Sequence, residues 1–328
     1  MHWKLSWNQR RARGSFSCRS TSRPEKPFFP RPPHSTAQPS RNCGPGVVPA
    51  LRTPPTVTRT FGVVGSPIGH SQSPALHRAA ISTLGIDAVY SSTEVTGSEL
   101  QGFLDSLDDT WTGLSLTMPL KTVIRPMLTR ECATSKLTGA VNTAVRRSDG
   151  WEGYNTDVWG AATALRRQWG TTFSSAILLG AGATASSLVV SLRDLGVTSL
   201  VVVARDLSRT HDIQKLGREL GIDVRTAHFG ESHESADIVV SSLPATAMLT
   251  PETLGKLNAA ALFDVVYEPW PSALGREWER RGLESISGLH MLLWQAVRQA
   301  RVFYGESVDE PLPNEELVVT AMRAAVGL

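Results

Sequence analysis

Hydrophobic residues in the second half of the chain are grouped into short runs. The runs cover residues 176–179, 200–203, 224–229, 238–240 and 263–266, and they are separated by segments of helix length. Apolar strands that alternate with helices build a parallel sheet whose two faces are both covered. We therefore predict a parallel-sheet domain in this part of the chain.

The preceding part of the chain has a less regular pattern, which predicts a compact α/β unit. Ser73 is predicted to cap a helix that has Pro74 at its first position and ends at Gly85. Asp149-Gly150 is a strong turn signal for a hairpin. Strands are predicted at residues 60–64, 88–95, 113–117, 141–147 and 151–154, and further helices at residues 289–303 and 315–326, the latter behind the cap residue Asn314.

Charge distinguishes residues 1–58 from the rest of the chain. Ten of the 33 Lys and Arg residues lie in this segment, together with one of the 30 acidic residues and many prolines. Because the segment also lacks apolar periodicity, we predict a disordered leader. Three interpretations stay open: a non-functional extension, a transit peptide (which is likewise rich in Arg and Ser and poor in acids), and a basic interaction arm.

The composition of the remainder excludes several classes of function. Outside the leader, 23 basic residues face 29 acidic ones, so this part has no excess of positive charge of the kind that binds nucleic acid. No apolar run approaches the roughly 18 residues of a membrane span, and no cluster of His, Cys and carboxylates has the spacing of a metal site. We expect a cytoplasmic protein that binds no metal, membrane or nucleic acid.

A glycine-rich turn follows the first apolar run of the second half. Gly180, Gly182 and Ala185 have the spacing of a dinucleotide-binding turn that leads from a strand into a helix. The first glycine permits the tight turn, the second lets the backbone approach a pyrophosphate, and the alanine keeps helix and strand close. Free N–H groups at the helix N-terminus also attract the anion. The predicted cofactor-binding residues are Gly180, Ala181, Gly182, Ala183, Thr184 and Ala185.

The residues after the second strand of this half indicate which dinucleotide binds. NAD-binding folds usually have Asp or Glu at this point to hold the ribose 2′-hydroxyl. This chain has Arg205 at the strand tip and Arg209 one helical turn later, and guanidinium groups bind phosphate in a bidentate manner. We therefore predict NADP as the cofactor. Asp206 leaves two other effects open, repulsion of the phosphate or binding of a hydroxyl.

A lysine and an aspartate upstream of the glycine turn supply the candidate chemistry. Pro119 ends the third predicted strand, so Lys121 projects from a turn, and Asp157 follows the predicted hairpin. Reversible oxidation of a secondary alcohol needs one group that moves the hydroxyl proton, one that orients the hydroxyl, and a nicotinamide that takes the hydride. Ser71 and Ser73, two hydroxyls beside a predicted helix N-terminus, form a candidate anion site.

Six motifs in this sequence resemble the shikimate dehydrogenase family and occur in the family's order. Together they span about residues 60–328. Ala204 and Asp206 depart from the Asn-Arg-Thr that the family commonly has here, and His290 replaces a residue that is frequently small. The motifs lie at residues 65–74, 115–121, 139–143, 153–157, 180–185 and 288–295.

The resemblance implies a role for each matching residue. Ser71 and Ser73 would hold the substrate carboxylate, and Lys121 with Asp157 would act on the reacting oxygen. Tyr267 would line the same cleft. Substrate hydroxyls would be bound by Thr117, Asn142 and Gln295, and the nicotinamide would lie near Gly288 and Met291.

The resemblance also implies an architecture and a reaction. The α/β fold would have a substrate-binding domain at residues 59–156, completed by residues 288–328, and a Rossmann-type NADP-binding domain at residues 157–287. The enzyme, a monomer or homodimer, would reversibly reduce 3-dehydroshikimate to shikimate with NADPH, on the route to chorismate and the aromatic amino acids. Two alternatives stay open: a quinate or quinate/shikimate dehydrogenase that uses NAD, and a shikimate-sensing protein without catalysis on the same scaffold.

Overall fold

The computed structural model describes residues 58–170, 173–231 and 234–328. The predicted leader, except for its last residue, lies outside the described residues. The strands are β1 Arg59–Gly65, β2 Ala88–Glu94, β3 Trp111–Leu116, β4 Arg130–Glu131, β5 Thr143–Arg147, β6 Gly150–Tyr154, β7 Ser175–Leu179, β8 Ser199–Val203, β9 Asp223–Ala227, β10 Ala236–Ser241, β11 Ala259–Asp264 and β12 Glu284–Ser287. The α-helices are α1 Ser73–Leu84, α2 Leu100–Ser106, α3 Leu120–Val123, α4 Ala133–Thr138, α5 Asp157–Trp169, α6 Ala183–Asp194, α7 His211–Leu220, α8 Pro251–Lys256, α9 Ala273–Arg280, α10 Gly288–Tyr304 and α11 Glu315–Ala325.

The second half of the chain forms a parallel sheet, as its apolar runs predicted. The strand order is β12-β11-β10-β7-β8-β9, and every neighbouring pair is parallel. This is the strand order of a doubly wound dinucleotide-binding sheet, in which ligands bind at the carboxyl ends of the strands where the order reverses. The reversal lies at β7, directly before the glycine turn.

The first half forms a mixed sheet with the order β2-β1-β3-β5-β6-β4. Strands β1, β2 and β3 are parallel, whereas β5 is antiparallel to both β3 and β6. The predicted hairpin is confirmed: Gly150 follows Asp149 with φ +127°, a conformation that a residue with a side chain rarely adopts. The two sheets confirm the predicted α/β class.

One helix start differs from the sequence-based expectation, and a second agrees with it in position. Helix α1 begins at Ser73, so Gln72 occupies the cap position and the prediction of Ser73 as the cap was wrong. The N–H of Ser73 instead donates to Ser71 Oγ at 3.4 Å. This bond satisfies one of the free N–H groups at the helix end, although the side chain of Gln72 makes no cap hydrogen bond. Asn314 does precede α11, but its φ of 52° is left-handed and its side chain makes no cap hydrogen bond.

Helix α10 contacts both sheets. It packs against β3 and β5 of the mixed sheet and against β12 of the parallel sheet. Its buried apolar residues, such as Val297, belong to one cluster with Leu76 of α1 and Met322 of α11. The predicted domain boundaries at Asp157 and Gly288 coincide with the first residues of α5 and α10, and the division itself stays a prediction.

A close approach of two helix backbones joins α5 to α10 at Gly160. A Cβ added to Gly160 would lie 2.7 Å from both the backbone nitrogen and the Cβ of Gln295. Real Cβ atoms do not tolerate this distance, so only glycine lets the two helix backbones meet. The contact brings Gln295 close to the first turn of α5.

We predict that Gly160→Ala destabilises the protein by about 1–3 kcal/mol, the usual cost of overpacking a core. The matched control is Gly102→Ala in α2, where an added Cβ would meet no atom within 4 Å. That control should gain up to about 1 kcal/mol, because alanine is the better helix former. Urea unfolding of both variants is the measurement, and equal effects would contradict the packing argument.

Candidate active site

Two adjoining cavities contain most of the candidate site residues. The larger, about 1230 Å³, borders the glycine turn, and the smaller, about 240 Å³, borders the mixed sheet. Four residues line both cavities, Thr117, Met118, Lys121 and Thr184. The junction of the two cavities is therefore the place where a nucleotide in one could meet a small molecule in the other.

The predicted lysine and aspartate form an ion pair at this junction. Lys121 Nζ lies 2.6 Å from Asp157 Oδ2, and the two side chains are only 14% and 5% exposed. The ammonium also donates to Thr184 Oγ1 at 3.4 Å. Asp157 is the first residue of α5, where the helix dipole favours a carboxylate, and the Asn155 side chain accepts its backbone N–H at 3.0 Å.

Asn142 holds the second oxygen of the aspartate. Its Nδ2 donates to Asp157 Oδ1 at 2.9 Å and to Thr156 Oγ1 at 2.8 Å, and its Oδ1 accepts the N–H of Thr156 at 2.8 Å. A third contact of Nδ2, to Gln295 Oε1, is longer at 3.2 Å. An amide nitrogen carries only two hydrogens, and the two shorter contacts of Nδ2 use both of them. The contact with Gln295 is therefore the weakest, and the Gln295 oxygen can accept from a ligand.

The smaller cavity brings together the residues that the motifs single out for substrate. Tyr267 also lines it, and burial followed by the nearby Glu268 raises the pKa of its hydroxyl, although the backbone of Gln72 lowers it. Gly288 and Met291, which were predicted beside the nicotinamide, line this cavity as well. The predicted substrate and acid–base residues that line it are Ser71, Ser73, Thr117, Lys121, Asn142, Asp157, Tyr267 and Gln295.

The glycine turn has the geometry that its spacing predicted. Gly180 has φ +100°, and a Cβ there would clash with Ser242 Oγ. Gly182 occupies the N-cap of α6, and a Cβ there would meet no atom within 4 Å, so its backbone faces open space. Ala185 is fully buried. The larger cavity is lined by Ala181, Gly182, Ala183, Thr184 and Ala185.

The two predicted phosphate-binding arginines lie in different positions. Arg209 lines the larger cavity, whereas Arg205 is exposed and does not line it. Asp206 accepts the N–H and the O–H of Ser208, at 2.9 and 2.6 Å, and these hydrogen bonds lower the pKa of its carboxyl group. The carboxylate thus caps the short 3₁₀ turn at residues 207–210.

His290 lies on α10 and lines neither of the two cavities. Burial and then the nearby Arg323 of α11 lower the pKa of its imidazole.

A buried polar network borders the smaller cavity, and sequence reasoning missed its centre, Gln299. Gln299 Nε2 donates to Asn142 O and to Thr143 Oγ1, both at 3.0 Å. Its Oε1 accepts from Ser115 Oγ at 2.9 Å and faces His77 Nε2 at 3.1 Å. The signal was available, since Gln299 lies four residues after Gln295 and therefore on the same face of α10.

The network fixes the tautomer of His77. Because the Gln299 oxygen can only accept, His77 Nε2 donates, and Nδ1 accepts from the Tyr304 hydroxyl at 3.1 Å. The ring is fully buried and stacks on Tyr90, with 4.2 Å between ring centroids. Burial lowers the pKa of His77 to about 4, against the smaller opposing effect of the Gln299 hydrogen bond.

Known proteins are similar in sequence to this chain. The family model described as "Shikimate dehydrogenase substrate binding domain" matches residues 63–144. A shikimate dehydrogenase (NADP(+)) of Crocosphaera subtropica is 32% identical over 277 residues, covering 79% of this chain and 96% of that protein. A protein of the same name from Thermococcus kodakarensis is 33% identical over 263 residues, covering 78% and 94%.

Solved structures are also similar to this chain, in both fold and sequence. Shikimate dehydrogenase of Mycobacterium tuberculosis has a TM-score of 0.71 and 35% identity, covering 81% of this chain and 99% of that one. A shikimate 5-dehydrogenase from Thermus thermophilus, in complex with NADP(H) and shikimate, has a TM-score of 0.68 and 29% identity, with coverage of 81% and 99%.

Neither a metal-binding cluster nor a membrane-spanning helix occurs in the described residues. Within residues 58–170, 173–231 and 234–328, no group of three or more His, Cys, Asp or Glu side chains could hold a metal ion. In the same ranges, no helix has the length and apolar character needed to span a membrane.

We predict that acidification destabilises the protein through His77. The folded-state pKa of about 4 lies below the ordinary 6.5, so the unfolded state binds more protons between these values. The contribution of His77 to stability is therefore complete above about pH 6.5 and is lost towards pH 4, by roughly 2–4 kcal/mol.

Urea unfolding of His77→Gln between pH 7 and pH 4 checks this prediction. The variant is expected to be less stable at pH 7 and to lose less stability on acidification than the wild type. His70→Gln, at an exposed histidine, should retain the wild-type pH dependence. Parallel pH curves for wild type and His77→Gln would contradict the prediction.

Proposed function

The chain belongs to the shikimate dehydrogenase family, and we propose that it reversibly reduces 3-dehydroshikimate to shikimate with NADPH. The observation that carries the proposal is the position of the Lys121–Asp157 pair, which lies 2.6 Å apart at the junction of the two cavities. NADPH bound along the glycine turn would supply the hydride. The smaller cavity would hold the substrate, with its carbonyl towards Lys121.

Lys121 would move the proton of the reaction. As the hydride reaches the carbonyl carbon, the carbonyl oxygen becomes an alkoxide, and an ammonium beside it can donate the proton and accept it in the reverse direction. Asp157 favours the charged lysine and holds it in place. Both oxygens of Asp157 are engaged, one by Lys121 and one by Asn142, so the carboxylate keeps one orientation.

The remaining predicted residues would bind the groups of the substrate that do not react. Ser71 and Ser73 lie at the N-terminus of α1, a helix of 12 residues, where hydroxyls and free backbone N–H groups favour a carboxylate. At the other side of the cavity, Gln295 presents an oxygen that Asn142 engages only weakly. We propose that Gln295, Asn142 and Thr117 bind ring hydroxyls and that Tyr267 lines the cleft.

The cofactor would be NADP rather than NAD. Arg209 borders the larger cavity, and Arg205 is exposed just beyond β8, where it is free to turn towards a 2′-phosphate. The nearby Asp206 accepts both hydrogen bonds of Ser208 through one oxygen, Oδ1. The two arginines argue against the NAD-using alternative. A cytoplasmic location and a monomeric or homodimeric state remain predictions.

We predict that the full chain oxidises shikimate with NADP far faster than in any other combination of shikimate or quinate with NADP or NAD. Loss of charge-assisted hydrogen bonds to the 2′-phosphate, at about 1.5–3 kcal/mol each, implies at least about tenfold lower kcat/KM with NAD. Initial rates in the four combinations are the measurement. A higher initial rate with quinate or with NAD would reassign the enzyme. Binding of shikimate without turnover would favour the sensor alternative.

We predict that Lys121→Met lowers kcat by about 10²–10⁴-fold, because positioned acid–base groups contribute this much. The KM for shikimate should change far less, since the proton moves only during reaction. Lys256→Met, on α8 and away from both cavities, is the control and should behave as wild type. A kcat within tenfold of wild type would contradict the role of Lys121.

A further inference from the structure

Thr184 is the only residue of the glycine turn, among those the structure describes, that lines both cavities. It is the second residue of α6 and is partly buried. Its Oγ1 lies 3.4 Å from Lys121 Nζ, across 63 positions of sequence. The turn that would bind the cofactor thus also contacts the lysine that would move the proton.

The direction of this hydrogen bond follows from the chemistry of the two groups. An ammonium has three N–H donors and no acceptor, so Lys121 donates and the Thr184 oxygen accepts. Asp157 Oδ2 receives a second donor at 2.6 Å. In the described part of the chain, these are the two hydrogen-bond partners of Nζ. One N–H is therefore left for a ligand.

Two partners restrain an ammonium more than one partner does. If Asp157 were the only partner, the Lys121 ammonium could rotate about the line from Nζ to Oδ2. Its other two N–H bonds would then have no fixed direction. A second acceptor at Thr184 removes this rotation, because the three N–H bonds are tetrahedrally arranged. Lysine is also a flexible side chain with four methylene groups, so each fixed contact reduces the freedom that proton transfer must otherwise overcome.

We propose that Thr184 is a positioning residue for proton transfer: its hydroxyl oxygen fixes the Lys121 ammonium so that the third N–H points into the smaller cavity. This role goes beyond cofactor binding by the turn, and it rests on the function proposed above. The hydroxyl hydrogen of Thr184 stays free to donate to a ligand in the larger cavity. Thr184 would then couple ligand binding at the glycine turn to the orientation of the Lys121 ammonium.

Three variants of the full chain test the proposal. Thr184→Val keeps the shape but removes the acceptor, Thr184→Ser keeps the hydroxyl, and Thr320→Val makes the same chemical change in α11. Thr320 is exposed and lines neither cavity. The readouts are kcat, the KM for shikimate and for NADP, and the primary deuterium isotope effect on hydride transfer.

For Thr184→Val we expect a kcat about tenfold below wild type, equivalent to about 1.4 kcal/mol, with the KM for shikimate within about twofold. The isotope effect should increase, because the chemical step becomes slower relative to binding and release. Thr184→Ser should recover most of the wild-type kcat, and Thr320→Val should match wild type. Unchanged kcat in Thr184→Val, a change confined to the KM for NADP, or an equal defect in Thr184→Ser would overturn the proposal.

A second measurement separates this proposal from the proposed function. Limited acetylation followed by mass spectrometry reports the reactivity of Lys121 relative to the exposed Lys136 in the same molecule. Release of one ammonium contact should raise the relative labelling of Lys121 in Thr184→Val but not in Thr184→Ser. This result holds even if the wild type oxidises no substrate, in which case the proposed function fails and the positioning role stands. Equal labelling in all three proteins would overturn the positioning role.

Discussion

The rest of the site depends on the burial of one ion pair. Removing an ammonium and a carboxylate from water costs several kcal/mol per ion, and their attraction compensates only when the remaining hydrogen-bonding capacity is used. Asp157 meets this requirement through Asn142, and Lys121 through Thr184. The pair therefore requires residues from α3, α5 and α6 and the segment before β5 to converge within hydrogen-bonding distance.

Helix α10 packs against the residues that surround the Lys121–Asp157 pair. Gly160 lets its backbone approach α5, and Gln295 and Gln299, one turn apart, both point towards the mixed sheet. The Gln299 amide donates to Thr143 Oγ1, and the Thr143 hydroxyl donates to Asn142 Oδ1 at 2.9 Å. Since Asn142 Oδ1 accepts from the Thr143 hydroxyl and from the Thr156 N–H, its Nδ2 must face Asp157. The buried Gln299 amide thus determines, through Thr143, which end of the Asn142 side chain faces the Asp157 carboxylate.

Sequence patterns were sufficient for the features that local chemistry determines. The apolar runs identified the parallel sheet, Asp149-Gly150 the hairpin, and the glycine spacing the turn before α6. Patterns failed where a bond joins residues distant in sequence. Gln299 meets Asn142 across 157 positions, and Thr184 meets Lys121 across 63, and no periodicity reports such pairs. The cap of α1 was mispredicted because the Ser73 N–H bonds to the Ser71 hydroxyl, which departs from the usual cap geometry.

The chain passes between the two sheets at the site itself. It leaves β6 and enters α5 at Asp157, and it leaves β12 and enters α10 at Gly288, where an added Cβ would collide with the Val265 carbonyl. Each passage begins a helix whose first turns line the smaller cavity, so Asp157, Met291 and Gln295 are positioned by local geometry. Lys121 differs, because it belongs to the mixed-sheet side and reaches α5 and α6 only through its ammonium. Its position therefore depends on its hydrogen bonds, and that dependence is the reason for a second acceptor at Thr184.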